Sequence, residues 1–185
     1  IRSSKKQNDI KSRYTLALAL LENRQYQQSL GIVLKLRKEF TNVLAFQLTE
    51  AKIYRAMNNW KKAESSYRSI LNISPYNRLV TKRLIEILLI RNETDESETL
   101  LLKLAQHVPL NALELRLLAK ISNTQGDTAK THLNLGNAYA LENKYEQSLS
   151  ELLTAQKFST ENFYLNNLIE ARIEQIKEVL ANRPK

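Results

Sequence analysis

No cysteine occurs among the 185 residues, which excludes disulfides and thiol chemistry and is compatible with the cytosol or with an oxidising compartment. Glycine and proline are scarce, three of each, and so few punctuators leave little room for turn-rich β architecture. Long apolar runs are missing as well. The longest, Leu16 to Leu21 and Leu84 to Ile90 with Glu86 inside it, fall far short of the roughly 20 residues a membrane span needs. With two histidines and no Gly-rich phosphate loop, the material for catalysis is thin. The chain opens on Ile1 with neither an initiator methionine nor an apolar signal core, and reads as a fragment or a processed product.

What is present is ordinary for a globular chain: 43% apolar and 25% charged residues, rich in Leu, Ala, Glu, Lys, Gln and Arg, all good helix formers. The net charge of +9 favours acidic partners.

A fixed period organises the sequence. Tyr26-Gln-Gln-Ser29, Trp60-Lys-Lys-Ala63 and Thr94-Asp-Glu-Ser97 share one pattern at a constant interval of thirty-four, and Pro75 and Pro109 have the same spacing. In each unit a bulkier residue follows the small one by four (Val33, Tyr67, Leu101), and another apolar residue lies three further on (Leu36, Ile70, Leu104). This is the pattern of a helix-turn-helix unit: the small residue admits close helix approach, the bulky one fills the groove and the proline stops the second helix. First helices supply matching stripes at Leu16, Ala17 and Leu20, at Ala51 and Tyr54, and at Leu84, Ile85 and Leu88. The units predicted are 10–43, 44–77 and 78–111.

Then the register slips. Ser148 in Tyr145-Glu-Gln-Ser148 follows Ser97 by one and a half periods, so one helix is extra. It is placed at 112–124 and ended by Gln125-Gly126-Asp127, where Gly126 can take the left-handed conformation that closes a helix. The next helix, from Thr128 to Leu141, packs against it and doubles as first helix of the last unit, 128–160. That unit carries the clearest motif: His132, Leu135-Gly136 and Tyr139, then Tyr145, Ser148, Leu152 and Ala155, which resembles the tetratricopeptide consensus with His in the usual Trp position. A final helix over 161–181, with Phe163, Leu165, Leu168, Ile169, Ile173, Ile176 and Leu180 as its apolar positions, is expected to cap the array. The fold class expected is therefore all-α: one repeat domain over 1–185, a right-handed superhelix of about ten antiparallel helices with a C-terminal capping helix.

Chemistry finds no foothold. His107, just before Val108-Pro109, reads as a surface residue complementing a helix dipole, and His132 as core packing. Neither belongs to a His-Glu-x-x-His helix, and no other metal-ligand spacing occurs. Glu93, Asp95, Glu96 and Glu98 begin a helix, where negative charge suits the exposed amides. No catalytic residue, cofactor or metal ligand is assigned to the chain, and it is read as a non-enzyme. The inner positions of the first helices supply a candidate partner-binding groove instead: Leu48, Lys52, Arg55, Lys82, Arg116, Lys120, Lys130 and Asn137. Such a ladder could hold carboxylates of an acidic or C-terminal peptide through charge-assisted hydrogen bonds. Nucleic acid fits less well, because the cations are spread through all helices and most Tyr and Phe fall at core positions.

The last third also resembles a particular family. Gln125-Gly-Asp-Thr-Ala-Lys-Thr-His-Leu133 through Leu141, Tyr145-Glu-Gln-Ser-Leu-Ser-Glu-Leu-Leu153, Asn162-Phe-Tyr164 and Ile169-Glu-Ala-Arg-Ile173-Glu-Gln-Ile176 resemble the C-terminal end of BepA-type bacterial zinc metalloproteases. Those are periplasmic proteins in which an HExxH peptidase domain precedes tetratricopeptide repeats. The resemblance covers residues 112 to 180, while 10 to 111 match only the generic repeat. It implies the repeat domain of a protease and chaperone in outer-membrane protein quality control. The implied partners are its own peptidase domain, the β-barrel assembly machinery and unassembled outer-membrane proteins, and the implied zinc belongs to that peptidase domain. The alternative is a stand-alone scaffold, such as an assembly factor for a secretion or pilus system.

Overall fold

The computed structural model describes residues 2–41 and 43–182, with side chains described from residue 9 onward. Ile1, on which the fragment reading rests, lies outside them. Among the described residues there are ten helices and no strand: α1 (Arg2–Glu22), α2 (Tyr26–Glu39), α3 (Leu44–Ala56), α4 (Trp60–Ile73), α5 (Arg78–Ile90), α6 (Thr94–Ala105), α7 (Ala112–Thr124), α8 (Thr128–Leu141), α9 (Tyr145–Lys157) and α10 (Phe163–Ala181). The chain is all-α. The four repeat motifs found by spacing stand at the first residues of α2, α4, α6 and α9.

Short polar side chains start many of these helices by accepting from amides that have no partner within the helix. Asn59 accepts from Lys62, Asn77 from Val80, Asp127 from Lys130 and Asn162 from Leu165. Asn111 and Glu114 form a reciprocal capping box at α7, and Glu114 is buried in doing so.

The turns repeat as well. Residues with left-handed backbone fall at Arg24, Asn58, Asn92 and Gly126, each one full period after the last, and again at Asn143, half a period later. Around Gly126, Asp127 donates its amide to the carbonyl of Ser122 and Gly126 donates to Asn123, closing α7 as its sequence predicts. The same pair of bonds closes α1 at Arg24, α3 at Asn58 and α8 at Asn143.

The chain divides into two compact units, Ile1–Ile90 with α1 to α5 and Arg91–Lys185 with α6 to α10, so the division falls inside the third predicted repeat. In the first unit Ala17, Leu21, Val33, Leu36, Phe46 and Ile53 form one cluster, edged by Tyr14, Tyr26 and Met57. In the second, Leu133, Ala140, Leu152, Ala155, Ile169, Ile173 and Ile176 do so. Fully burying each large aliphatic side chain contributes roughly 1.5–3 kcal/mol, which the entropy of ordering the chain largely offsets. The small residues behave as the period requires: Ser29, Ala63, Ser97 and Ser148 are wholly buried at the helix contacts.

Two expectations about burial are corrected. Only one face of α10 is covered, so Ile169, Ile173 and Ile176 are buried while Phe163 and Leu168 are exposed. His132 is not a core residue. Its side chain is 29% exposed, and Nδ1 lies 2.6 Å from Oε2 of Glu151 on α9, with the ring stacked on Phe158 at 6.5 Å.

Candidate partner-binding groove

The two units differ in charge. Residues 1–90 carry 17 Lys and Arg against 6 Asp and Glu, net +11, whereas residues 91–185 carry 11 against 13, net −2. The positive charge of the chain belongs to the first unit. Its field reaches about one Debye length, near 10 Å, and favours acidic surfaces at that unit.

Within the first unit, a groove of about 430 Å³ is lined by the first helices of successive repeats. Tyr14 and Leu18 come from α1, Ala45, Leu48, Thr49, Lys52 and Arg55 from α3, and Leu79 and Arg83 from α5, with Tyr67 of α4 among them. Tyr14 is fixed there by its hydroxyl, which lies 2.8 Å from that of Thr49 and also donates to the carbonyl of Ala45. Leu79 is half exposed, at 52%. An apolar surface is thus open to a ligand beside three cations.

Those cations are already engaged. Lys52 donates to Glu22 at 3.0 Å. Arg55 of α3 and Arg83 of α5 both donate to the one carboxylate of Glu86, Arg55 at 3.1 Å and Arg83 at 2.9 and 3.0 Å. Tyr67 lies against the pair. Burial pushes its phenol above the usual range, opposed by the positive charges of Arg55 and Arg83. Of the expected site residues in this unit, the structure brings Leu48, Lys52 and Arg55 together in the groove. Lys82 is exposed on α5 and lies outside the lining, while Tyr14, Tyr67, Leu79 and Arg83 belong to it without having been expected.

In the second unit the expected residues serve polar networks. Arg116 forks onto both oxygens of Glu142 and covers the ring of Tyr139 at 4.6 Å. The hydrogen bond to Glu142 holds the guanidinium above its ordinary pKa. Lys130 pairs with Asp127 at 3.1 Å and lies 4.0 Å from Glu98; its pKa is raised, chiefly by Asp127. Asn137 accepts from Arg172 of α10 at 2.9 Å. Lys120 is exposed and has no ion pair among the described residues.

Aromatic side chains correct a further expectation. Phe158, Phe163 and Tyr164 are 59, 80 and 80% exposed, so aromatic surface is present after all. It lies in the acidic unit. The basic unit exposes Tyr76 alone of its described aromatics, so the stacking surface and the positive charge that single-stranded nucleic acid requires are not combined in one unit.

No family model matches the chain, and no curated protein does. Solved structures do. A double mutant of MamA from strain RS-1 aligns with a TM-score of 0.64 at 11% identity, over 94% of this chain and 97% of that one. A Podosopora anserina putative kinesin light chain, described as nearly identical TPR-like repeats, aligns at 0.59 with 14% identity, over 95% and 97%. The fold is that of a tetratricopeptide repeat. BtubC from P. vanneervenii, at 0.61 and 10% identity over 95% of this chain and 82% of that one, has the same arrangement. Among the described residues of this tetratricopeptide fold, no helix is long and apolar enough to cross a membrane, and no group of three His, Cys, Asp or Glu could hold a metal ion.

Proposed function

We propose that the chain is a protein-interaction module whose first unit binds an extended, acidic segment of a partner protein in the α1–α3–α5 groove. The observation that carries this reading is the apolar groove edged by Lys52, Arg55 and Arg83 in a unit of net charge +11. Apolar contact supplies affinity, while the cations steer the encounter and make it salt-dependent. Reversing Lys52, Arg55 and Lys82 to Glu is expected to weaken binding of an acidic partner and flatten its salt dependence. Reversing Lys120 and Lys177 in the second unit is expected to do neither. Equal affinity of the triple variant and wild type would overturn the reading.

For the intact protein we propose the setting that the resemblance over residues 112 to 180 supports. There the repeats present substrates and partners to a zinc metalloprotease and chaperone of the periplasm, acting on outer-membrane proteins and their assembly machinery. The protein captured from its natural source and weighed intact, with its zinc content, tests this. A larger chain with bound zinc and an HExxH peptide supports it, and a chain beginning at Ile1 without metal leaves the stand-alone scaffold.

A further inference from the structure

Two guanidinium groups in the groove share one carboxylate. Arg55 comes from the first helix of the second repeat and Arg83 from that of the third, and Glu86 lies one turn beyond Arg83 on the same helix. All three side chains are about one-third exposed: 32% for Arg55, 35% for Arg83 and 32% for Glu86. The trio keeps one positive charge in excess, next to Leu48, Leu79 and Tyr67. A buried ion pair of this kind would be costly to open, but a half-wetted one exchanges partners readily, because water and salt screen what is lost.

We propose that Glu86 occupies the place of a glutamate side chain of the partner. The partner is then an internal, extended segment that delivers one Glu between Arg55 and Arg83 and lays a neighbouring aliphatic side chain on Leu18, Leu48 and Leu79. Charge complementarity argues for this occupant: the groove holds an uncompensated cation beside an apolar surface. Glu86 itself demonstrates that a carboxylate on a glutamate stem can be shared by both guanidinium groups at hydrogen-bond distance. This rests on the groove reading given above and adds to it that the free groove is held closed to weak anions by its own carboxylate. A ligand must therefore bring both parts, since the carboxylate alone only exchanges for Glu86 and the aliphatic contact supplies the surplus.

The test uses the whole chain and a short synthetic peptide with acetylated and amidated ends, carrying one central Glu flanked by Leu, titrated by calorimetry. Wild type is expected to bind it, and to lose binding when Gln replaces the peptide's Glu. Glu86→Gln, checked for an unchanged melting temperature, is expected to bind the Glu peptide about fivefold more tightly, the effect of about 1 kcal/mol for removing a competitor that is one-third exposed. The Gln peptide should not distinguish wild type from Glu86→Gln. Equal or weaker binding of the Glu peptide by Glu86→Gln overturns the proposal while leaving the groove as the docking site. Equal binding of the Glu and Gln peptides by wild type overturns it too, and so does binding that requires a free C-terminal carboxylate. If neither peptide binds wild type, while the Lys52, Arg55 and Lys82 reversal leaves an acidic partner bound, the groove reading itself falls.

Discussion

Ser148 of α9 donates its hydroxyl to the backbone carbonyl of Gly136 in α8 at 2.8 Å, and Ser29 of α2 does the same to Ala17 of α1 at 2.7 Å. In both pairs a wholly buried serine meets a small residue twelve positions earlier, so the helices lie close enough for side chain to reach main chain. A Cβ at Gly136 would lie 2.7 Å from Cγ of Leu152 and 3.2 Å from the carbonyl oxygen of Ser148. Leu152 is completely buried and cannot swing aside. Gly136→Ala is expected to cost about 1–3 kcal/mol by overpacking, and Ser148→Ala about 1 kcal/mol for its hydrogen bond. Urea unfolding of both variants and of their combination measures this, and the two costs should fail to add, because the residues touch.

Among the described residues, Arg24 is the one left-handed turn residue that is neither asparagine nor glycine, with φ at 60°. A long side chain there bears the clash of Cβ with its own backbone that Asn tolerates better. Arg24→Asn is expected to raise stability by about 0.5–1 kcal/mol, and Gly126→Ala, at φ 78°, to lower it by about 1 kcal/mol. Thermal melts of the two variants should move in opposite directions.

Much of the fold was legible because its signals are local. The spacing of Tyr26, Trp60, Thr94 and Tyr145 marks four helix starts, and Gly126 marks one helix end. The other turns were not read from the sequence: Asn58 and Asn92 stand one period apart and tolerate positive φ, but no glycine marks them and Arg24 breaks the pattern. Burial on α10 was legible in the helical period but was not read from it: Ile169, Ile173 and Ile176 fall on one narrow stripe and are buried, while Phe163 and Leu168 lie roughly 100–120° round the helix from Ile169 and are exposed. Nor were the partners of the cations read. Lys52 meets Glu22, Arg55 meets Glu86 and Arg116 meets Glu142 over separations of 30, 31 and 26 residues. The first two separations fall just short of one period and the third well short of it, so no single spacing marks all three.

Glu142 tests the electrostatics. Hydrogen bonds from Lys144 first, and from Arg116 second, hold its carboxyl below the usual range. A carboxyl that binds its proton less readily when folded contributes stability that is complete above its unfolded pKa, and loses it as the pH falls through the folded one. Glu142→Gln is expected to be less stable than wild type at neutral pH. The gap should close as the pH drops below the ordinary carboxylate range, near ~4. Denaturant midpoints measured from neutral to acid pH show whether the two curves converge.

Ser122 presents the opposite case. Its hydroxyl is buried on α7 and is the only buried side-chain polar atom among the described residues without a hydrogen-bond partner. Ser122→Ala removes an atom whose desolvation costs about 1–3 kcal/mol, and leaves nothing unsatisfied behind. The variant is expected to melt at or above the wild-type temperature, in contrast to Ser148→Ala.

The double duty of α8 has a consequence for how such arrays lengthen. With α7 it completes the regular register of the repeat, and Thr131 then falls where Ser29 and Ser97 stand in theirs; with α9 it opens a new unit through Gly136 and Ser148. The turns on its two sides, at Gly126 and Asn143, are closed by the same pair of backbone bonds and stand half a period apart. One helix and one turn are therefore interchangeable currency in this chain. Excising residues 128–144 would join α7 to α9 through a turn of the kind already present, with Ala119 facing Ser148 as Ala17 faces Ser29. Insertion and loss of single helices, with no need for whole repeats, are open routes by which an array of this kind can change length.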